Sequence, residues 1–370
     1  MNGLALDHNA YRVPQCKVTV GNTQLNAGRA QHDPKSKAQG LSYYIEQVNV
    51  QVSNESKANS ADVTIISDYD MENKEIGGGI LKILAAGEKV TIELGYTQTS
   101  VVFMGYVNTV ETGFSESGVT VSFSCLDARG LLMGGSTWES FDQKKAQEIV
   151  KKMLDPLSSY AKSVTVKVNA DLDKEQPLSQ NELDDFKYLC HIAKVTNSSF
   201  YMTAQDLKFV ENGFEKYTAA VKYTWGDDLI SFNSKIELSE QVGAVTVMGI
   251  DPESAETFSA TVQPSANGGA KTIKQLNATA GKKTVTLNNL TVKNMDEAKA
   301  YAQALMFETA MKLCTGSAQV LGNEKLEVGK GVGFYGLDPN VDGDYLITSV
   351  SHSFGPGGFL TTIGFARSGV

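Results

Sequence analysis

Strand-period alternation, repeated six times before residue 134, is the feature that most limits what this chain can become. Lys17-Val18-Thr19-Val20, Val48-Asn49-Val50-Gln51-Val52, Val63-Thr64-Ile65-Ile66, Val90-Thr91-Ile92-Glu93-Leu94, Val107 to Val110 and Val119-Thr120-Val121-Ser122-Phe123 mostly alternate apolar with polar residues. Side chains on a strand point to opposite faces in turn, so each segment offers one apolar face to a core. Gly21-Asn22, Gly87, Gly95 and Gly118 punctuate them. Short strands at this spacing build barrels or sandwiches rather than a parallel sheet.

The period changes near residue 140. Ala146, Ile149, Val150, Met153 and Leu154 recur at helical spacing with Lys144, Lys145, Glu148, Lys151 and Lys152 on the other face, and Pro156 follows as a stop. A strand over Val164 to Val168 leads to a second helix, which is read as starting at a Ser179/Glu182 capping box and burying Phe186, Leu189, Cys190 and Ala193. Strands at Phe200-Tyr201-Met202 and Leu207 to Val210 follow. The β pattern then returns at Val245-Thr246-Val247 and Thr284 to Leu287, with one helix over Met295 to Leu313 capped by Asn294 and Glu297. Residues 263–283 read as an exposed, mobile loop. The expected fold is mainly β with an α+β insert: a first tube-like β-barrel over 1–134, a small α/β module over 135–225, and a second tube-like β-barrel with one helix over 226–370.

The two β regions echo each other. Val110, Phe114, Gly118, Val119, Val121 and Phe123 precede Val350, Phe354, Gly358, Phe359, Thr361 and Ile363 at one constant spacing, and Gly87, Val90 and Ile92 find counterparts in Gly329, Val332 and Phe334. Two similar barrels would give this echo; so would any two β-hairpins with a glycine in the turn.

Composition removes several function classes. Lys and Arg number 33 against 42 Asp and Glu, a net charge of −9 with no basic run, which argues against duplex DNA binding. Met1 to Val13 lacks a basic start and an apolar stretch of leader length, and Ile80 to Ala86 is too short to span a bilayer, so synthesis in the cytoplasm without membrane insertion is expected. Cys16, Cys125, Cys190 and Cys314 are far apart, and His8, His32, His191 and His352 form no ligand spacing, so neither a disulfide framework nor a zinc site is suggested.

The chemistry-bearing motifs each meet a plainer reading. Gly331, Gly333 and Gly336 match a dinucleotide fingerprint, but Leu337-Asp338-Pro339 follows where a helix N-terminus is needed. Asp338, Asn340, Asp342, Gly343 and Asp344 match the first half of a calcium loop, yet position twelve is Ser349 and the flanks read as strands, which favours a simple turn. Cys190 and His191 point to different helix faces, which makes Cys190 core and His191 surface rather than nucleophile and base. Asp184-Asp185 and Asp227-Asp228 supply paired carboxylates, a common feature of helix ends and turns. No catalytic, cofactor-binding or metal residue is expected.

Gln180 to Ala193, with Ser199-Phe200-Tyr201 and Leu207-Lys208-Phe209, resembles the helix and hairpin segment of phage late control D proteins and of the N-terminal part of type VI secretion valine-glycine repeat proteins. Gly322 to Gly329, Gly343 to His352 and Gly358 to Thr361 are similar to the second tube domain of that family, as are Phe103-Met104-Gly105 and Cys125-Leu126-Asp127 to the first. The resemblance implies a noncatalytic baseplate hub of a contractile injection system, whether phage tail, tail-like bacteriocin or extracellular particle. It implies a homotrimer whose six barrels adapt a sixfold tail tube to a threefold spike. Its partners would be the tail tube protein, a separate central spike protein, other baseplate proteins and the tape measure protein. The absence of an appended domain before Val370 is what points to a separate spike. Two alternatives stand beside the hub: a tail-associated cell-wall hydrolase, drawing on the scattered acids and Cys190-His191, and a receptor- or glycan-binding β protein, drawing on Tyr43, Tyr44 and the Asp338/Asp342 turn.

Overall fold

The alternating N-terminal segments fold as strands whose apolar faces share one core. In the computed structural model, residues 13–370 are described apart from 26–42, 55–56, 117, 136–139, 174, 181–182, 213–216, 252–253, 266–270 and 289–291. His8 and His32 lie outside the described residues. The first region comprises β1 (Gln15–Val20), β2 (Thr23–Leu25), β3 (Tyr43–Ser53), β4 (Ser60–Ser67), β5 (Tyr69–Asp70), β6 (Glu75–Ile76), helix α1 (Ile80–Ile83), β7 (Lys89–Gly95), β8 (Thr99–Ser115) and β9 (Gly118–Leu126). Its strands lie in the order β2-β1-β7-β8-β9-β4-β3, neighbours being antiparallel. Val18, Val48, Val63, Ile65, Ile92 and Val121, one face of the alternation, are buried. Among the described residues no ladder joins the β2 end to β3, so closure of this sheet is not seen.

The module has its own core. Strand β10 (Ser140–Lys145), helix α2 (Ala146–Leu154), β11 (Ser163–Lys167), β12 (Glu175–Ser179), helix α3 (Asp185–Val195), β13 (Ser198–Met202) and β14 (Asp206–Glu211) surround Ile149, Leu154, Leu189, Ile192, Met202 and Phe209. The α-helix ends at Leu154, before Pro156 as expected, and Pro156 then opens a 3-10 turn over Asp155–Tyr160, where its missing N–H is not needed. The Ser179/Glu182 cap is a misreading. Ser179 ends β12, Glu182 lies outside the described residues, and Asp184 caps α3 by accepting from the Lys187 N–H at 2.7 Å.

The third region holds β15 (Ala219–Thr224), β16 (Leu229–Ile236), β17 (Ala244–Ile250), β18 (Thr257–Val262), helix α4 (Ile273–Leu276), β19 (Thr284–Asn288), helix α5 (Met295–Met311), β20 (Cys314–Leu321), β21 (Gly331–Tyr335), β22 (Gly343–Gly355) and β23 (Gly358–Arg367). The ladder β16-β20-β23-β22-β21-β15 returns on itself because β15 runs through a short bend into β16, each half pairing on opposite edges. This barrel is filled by aromatics: Phe365 lies 5.0 Å from Phe232, 5.0 Å from Phe334 and 4.7 Å from Tyr345, centroid to centroid. The helix α5 is not part of it. With Ala298, Ala302 and Met306 it covers a separate sheet, β18-β17-β19, against Val245 and Val247. Within 263–283, expected as a loop, α4 forms a turn with a Thr272/Gln275 capping box, Ala280–Lys282 forms a 3-10 turn, and 266–270 lie outside the described residues.

The two β regions are joined edge to edge. Residues Val48 to Ser53 of β3 pair antiparallel with Ser349 to Phe354 of β22, making one sheet of 13 strands and a single apolar core.

Candidate assembly interface

The echo read in the sequence is an identity of register. In the β8–β9 hairpin Ser115 faces Gly118, Phe114 faces Val119, Thr112 faces Val121 and Val110 faces Phe123. In the β22–β23 hairpin Gly355 faces Gly358, Phe354 faces Phe359, His352 faces Thr361 and Val350 faces Ile363. Both turns return through a glycine at positive φ, Gly118 at 127° and Gly358 at 93°, a conformation a Cβ would strain. The ladders slip at the same place, past Val107 in one and past Ile347 in the other, leaving one extra residue on the longer strand. Upstream, the Gly87 N–H donates to the Val107 carbonyl and the Val107 N–H to that of Glu88; Gly329, Ile347 and Lys330 repeat both bonds.

The correspondence extends to strands whose sequences share nothing obvious. On β4, Ala61 faces Cys125; on β20, Gly316 faces Phe365. Val48, Gln47 and Ile45 of β3 face Val63, Thr64 and Ile65, with a slip at Glu46. Phe232, Ser231 and Leu229 of β16 face Ala318, Gln319 and Val320, with a slip at Ile230. Thus β3, β4, β7, β8 and β9 match β16, β20, β21, β22 and β23 pair for pair. The strands next to these differ: β1 runs antiparallel to β7, whereas β15 runs parallel to β21.

One copy of each matching edge is covered and the other is open. The distal half of β22 is covered by β3, and Val350 and His352 are buried there. Its equivalent, Thr109 to Phe114 of β8, has no strand on the side facing away from β9 among the described residues, and Phe114 is 62 % exposed. On β3, Val48, Val50 and Val52 are buried; on β16, which ends the sheet, the equivalent of Val52 is Ile236, 54 % exposed.

The other candidate residues fall into structural settings. Gly331 and Gly333 lie on β21 beside β15, where a Cβ on Gly331 would come 2.2 Å from the Thr218 carbonyl oxygen; no helix follows. Asp342 accepts from the backbone N–H groups of Gly336 at 3.0 Å and Leu337 at 2.9 Å, Asp338 from Asn340, and Asp344 from the Tyr335 hydroxyl and the Ala219 N–H. These donors engage the carboxylates of the turn, the arrangement of a plain Asp/Asn turn. Millimolar calcium added after chelation is expected to leave the melting temperature unchanged in a thermal-shift assay; a rise of several degrees would mean that the turn rearranges around the ion.

Asp185 accepts from the Gln180 side chain at 2.6 Å, and Asp228 from the Thr224 N–H at 2.6 Å, so these acids hold turns. Cys190 and His191 are both half-buried: Cys190 packs against the core of the module, as expected, while His191 is not the surface residue expected; Cys190 also lines a groove of about 710 Å³ between α3, α5 and the outer side of the second barrel. Burial and the neighbouring Lys194 hold the His191 pKa below its usual value. Tyr43 and Tyr44 are half-buried, Tyr43 against the main core. Among the described residues no three His, Cys, Asp or Glu side chains gather as a metal site, and no helix is long and apolar enough to cross a membrane.

Sequence reasoning missed a buried polar clasp. Arg129 is fully buried and meets Asp127 through Nη2 at 2.8 Å and Nε at 3.1 Å, and Asn59 Oδ1 at 2.9 Å. Asn59 donates to the Met202 carbonyl and its Oδ1 accepts from the Ser53 N–H. This network ties the end of β3 and the start of β4 to the turn after β9 and to the module. The only signal in the sequence was Asp127 within the motif of the resemblance.

Residues 27–355 match the family model described as the Alg8 N-terminal domain. The chain belongs to that family. No curated protein matches the sequence. Among solved structures, the fold of this Alg8 N-terminal domain protein is similar to the 43 kDa tail protein of prophage MuSo2 from Shewanella oneidensis, with a TM-score of 0.70, 15% identity and 96% and 98% of the two chains covered. It is similar to a tail protein from Neisseria meningitidis MC58, with a TM-score of 0.66, 14% identity and 96% of each chain covered. The E. coli c3393 protein, described as a component of the type VI secretion system similar to the T4 tail proteins gp27 and gp5, matches at 0.56 with 11% identity, over 95% of this chain and 76% of that one. The chain therefore shares its fold with phage tail proteins and a type VI component, in keeping with the late control D resemblance.

Proposed function

We propose that this protein is a noncatalytic baseplate hub of a contractile injection system, in which three copies form a ring between a sixfold tail tube and a threefold central spike. The observation that carries the reading is the pair-for-pair repetition of register, bulges and glycine turns in the two β regions. Two near-equivalent sheets in one chain, repeated about a threefold axis, present six near-equivalent surfaces. Such a surface fits a sixfold tube without any bond-making residue, and the engaged carboxylates described above are consistent with a role that needs none. The tail tube protein, a separate spike, other baseplate proteins and the tape measure protein are its proposed neighbours, and its place is the assembled tail. Native mass spectrometry of the concentrated protein is expected to give a three-chain species, and a peptidoglycan zymogram no clearing. A strictly monomeric chain, or a cleared zone, would contradict this reading.

A further inference from the structure

We infer that the open edge of β8 takes β16 of a second copy as an antiparallel ladder of fixed register, in which Glu111 faces Lys235. The inference rests on the ring reading above and specifies its contact. Inside one chain the distal half of β22 pairs with β3: Val350 with Val52, Ser351 with Gln51, His352 with Val50, Ser353 with Asn49 and Phe354 with Val48. Transferring each position to its equivalent, β22 to β8 and β3 to β16, gives Val110 with Ile236, Glu111 with Lys235, Thr112 with Ser234, Gly113 with Asn233 and Phe114 with Phe232.

Three observations suit that register. The residues that would point to the core side are Val110, Thr112 and Phe114 with Ile236, Ser234 and Phe232; the two most exposed apolar ones are Phe114 at 62 %, which meets the Tyr69 ring edge-on at 5.5 Å, and Ile236 at 54 %. On the opposite face one transferred pair, Glu111 with Lys235, carries opposite charges. Lys235 already meets Glu237 at 2.5 Å, and Glu111 would reach it from the other strand, an opposite-charge cross-strand pair. The slip at Ile230 on β16, in its ladder with β20, repeats that at Glu46 on β3, in its ladder with β4, so the two strands carry the same local bend. Neither edge pairs with another strand among the described residues, and a long unpaired edge is a template for exactly one more strand of matching pattern.

Disulfide trapping of the full chain tests the ladder. Opposed residues in an antiparallel pair are close enough at Cα for a disulfide, alternately in hydrogen-bonded and non-hydrogen-bonded sites. Two matched double variants, Val110→Cys with Ile236→Cys and Glu111→Cys with Lys235→Cys, therefore sample both kinds of site. A slipped variant, Val110→Cys with Ser234→Cys, is the control, and unchanged circular dichroism of the reduced proteins checks folding. Under mild oxidation at least one matched variant is expected to give covalent two- and three-chain products about tenfold above the slipped control. Three-chain particles in native mass spectra with no matched product, or with the slipped pair favoured, would overturn the ladder and leave the ring standing. Monomers throughout would overturn both.

Discussion

Replacing Asp127 with alanine is expected to destabilise the protein by about 3–5 kcal/mol, because it leaves the Arg129 charge buried without its counter-ion. Both side chains are essentially inaccessible, at 0 % for Arg129 and 1 % for Asp127. The same substitution strips acceptors from the backbone N–H groups of Asn59 and Arg129, each 2.8 Å from the carboxylate. A surface ion pair such as Lys82–Glu75 would be worth a fraction of this, since water screens it. The double variant Asp127→Ala with Arg129→Met should recover much of the loss, as it removes the orphaned charge and keeps apolar volume. Urea unfolding of the two variants beside the parent measures the difference. Equal losses in the two would mean that the clasp acts through packing alone.

Acid should loosen the junction of the two β regions through His352. This ring is buried on β22 opposite Val50 of β3, with Nδ1 3.0 Å from the Thr361 hydroxyl, and burial lowers its pKa to about 4. An unfolded histidine titrates near 6.5, so above that pH both states are neutral and stability is complete. As pH falls from 6.5 towards 4 the unfolded chain binds a proton that the folded chain refuses, and stability drops. Between pH 7.5 and 4.5 the loss from this one residue is about 2.5 kcal/mol. Carboxylates titrate in the same window, so the comparison is with His352→Asn, whose unfolding midpoint should fall by correspondingly less. Parallel pH profiles for the two proteins would mean that His352 is not the group responsible.

The parts of this molecule that could be read in its sequence are those where one face of one element meets a core. The strands of the first region, the helix α2 and the helix α5 with its Asn294 cap all announced themselves by period, because Val18, Ile149 or Ala298 must recur to be buried. The hairpin echo was legible for the same reason: Val110 and Val350, or Phe123 and Ile363, face inward in both copies. The equivalence of β3 with β16 was not legible. Val50 and Val52 lie against β22, while Ser234 and Ile236 lie on an open edge, so the same position in the repeat carries different side chains. The capping-box spacing of Ser179 and Glu182 misled because a Ser followed three residues later by a Glu is common outside helices, and Asp184 does the capping. The clasp was invisible because its members, Asn59, Asp127, Arg129 and the Met202 carbonyl, come from segments brought together only by the fold.

An electron-microscopy map of the ring would test the central claim most directly, namely that one chain supplies two interchangeable sheets. The map should show three copies with N-terminal and C-terminal sheets alternating around the axis, each superimposing on the next after a sixth of a turn, and β8 running beside β16 at every boundary between chains. A different copy number, or a ring in which like sheets adjoin and the sixth-turn relation is lost, would contradict it.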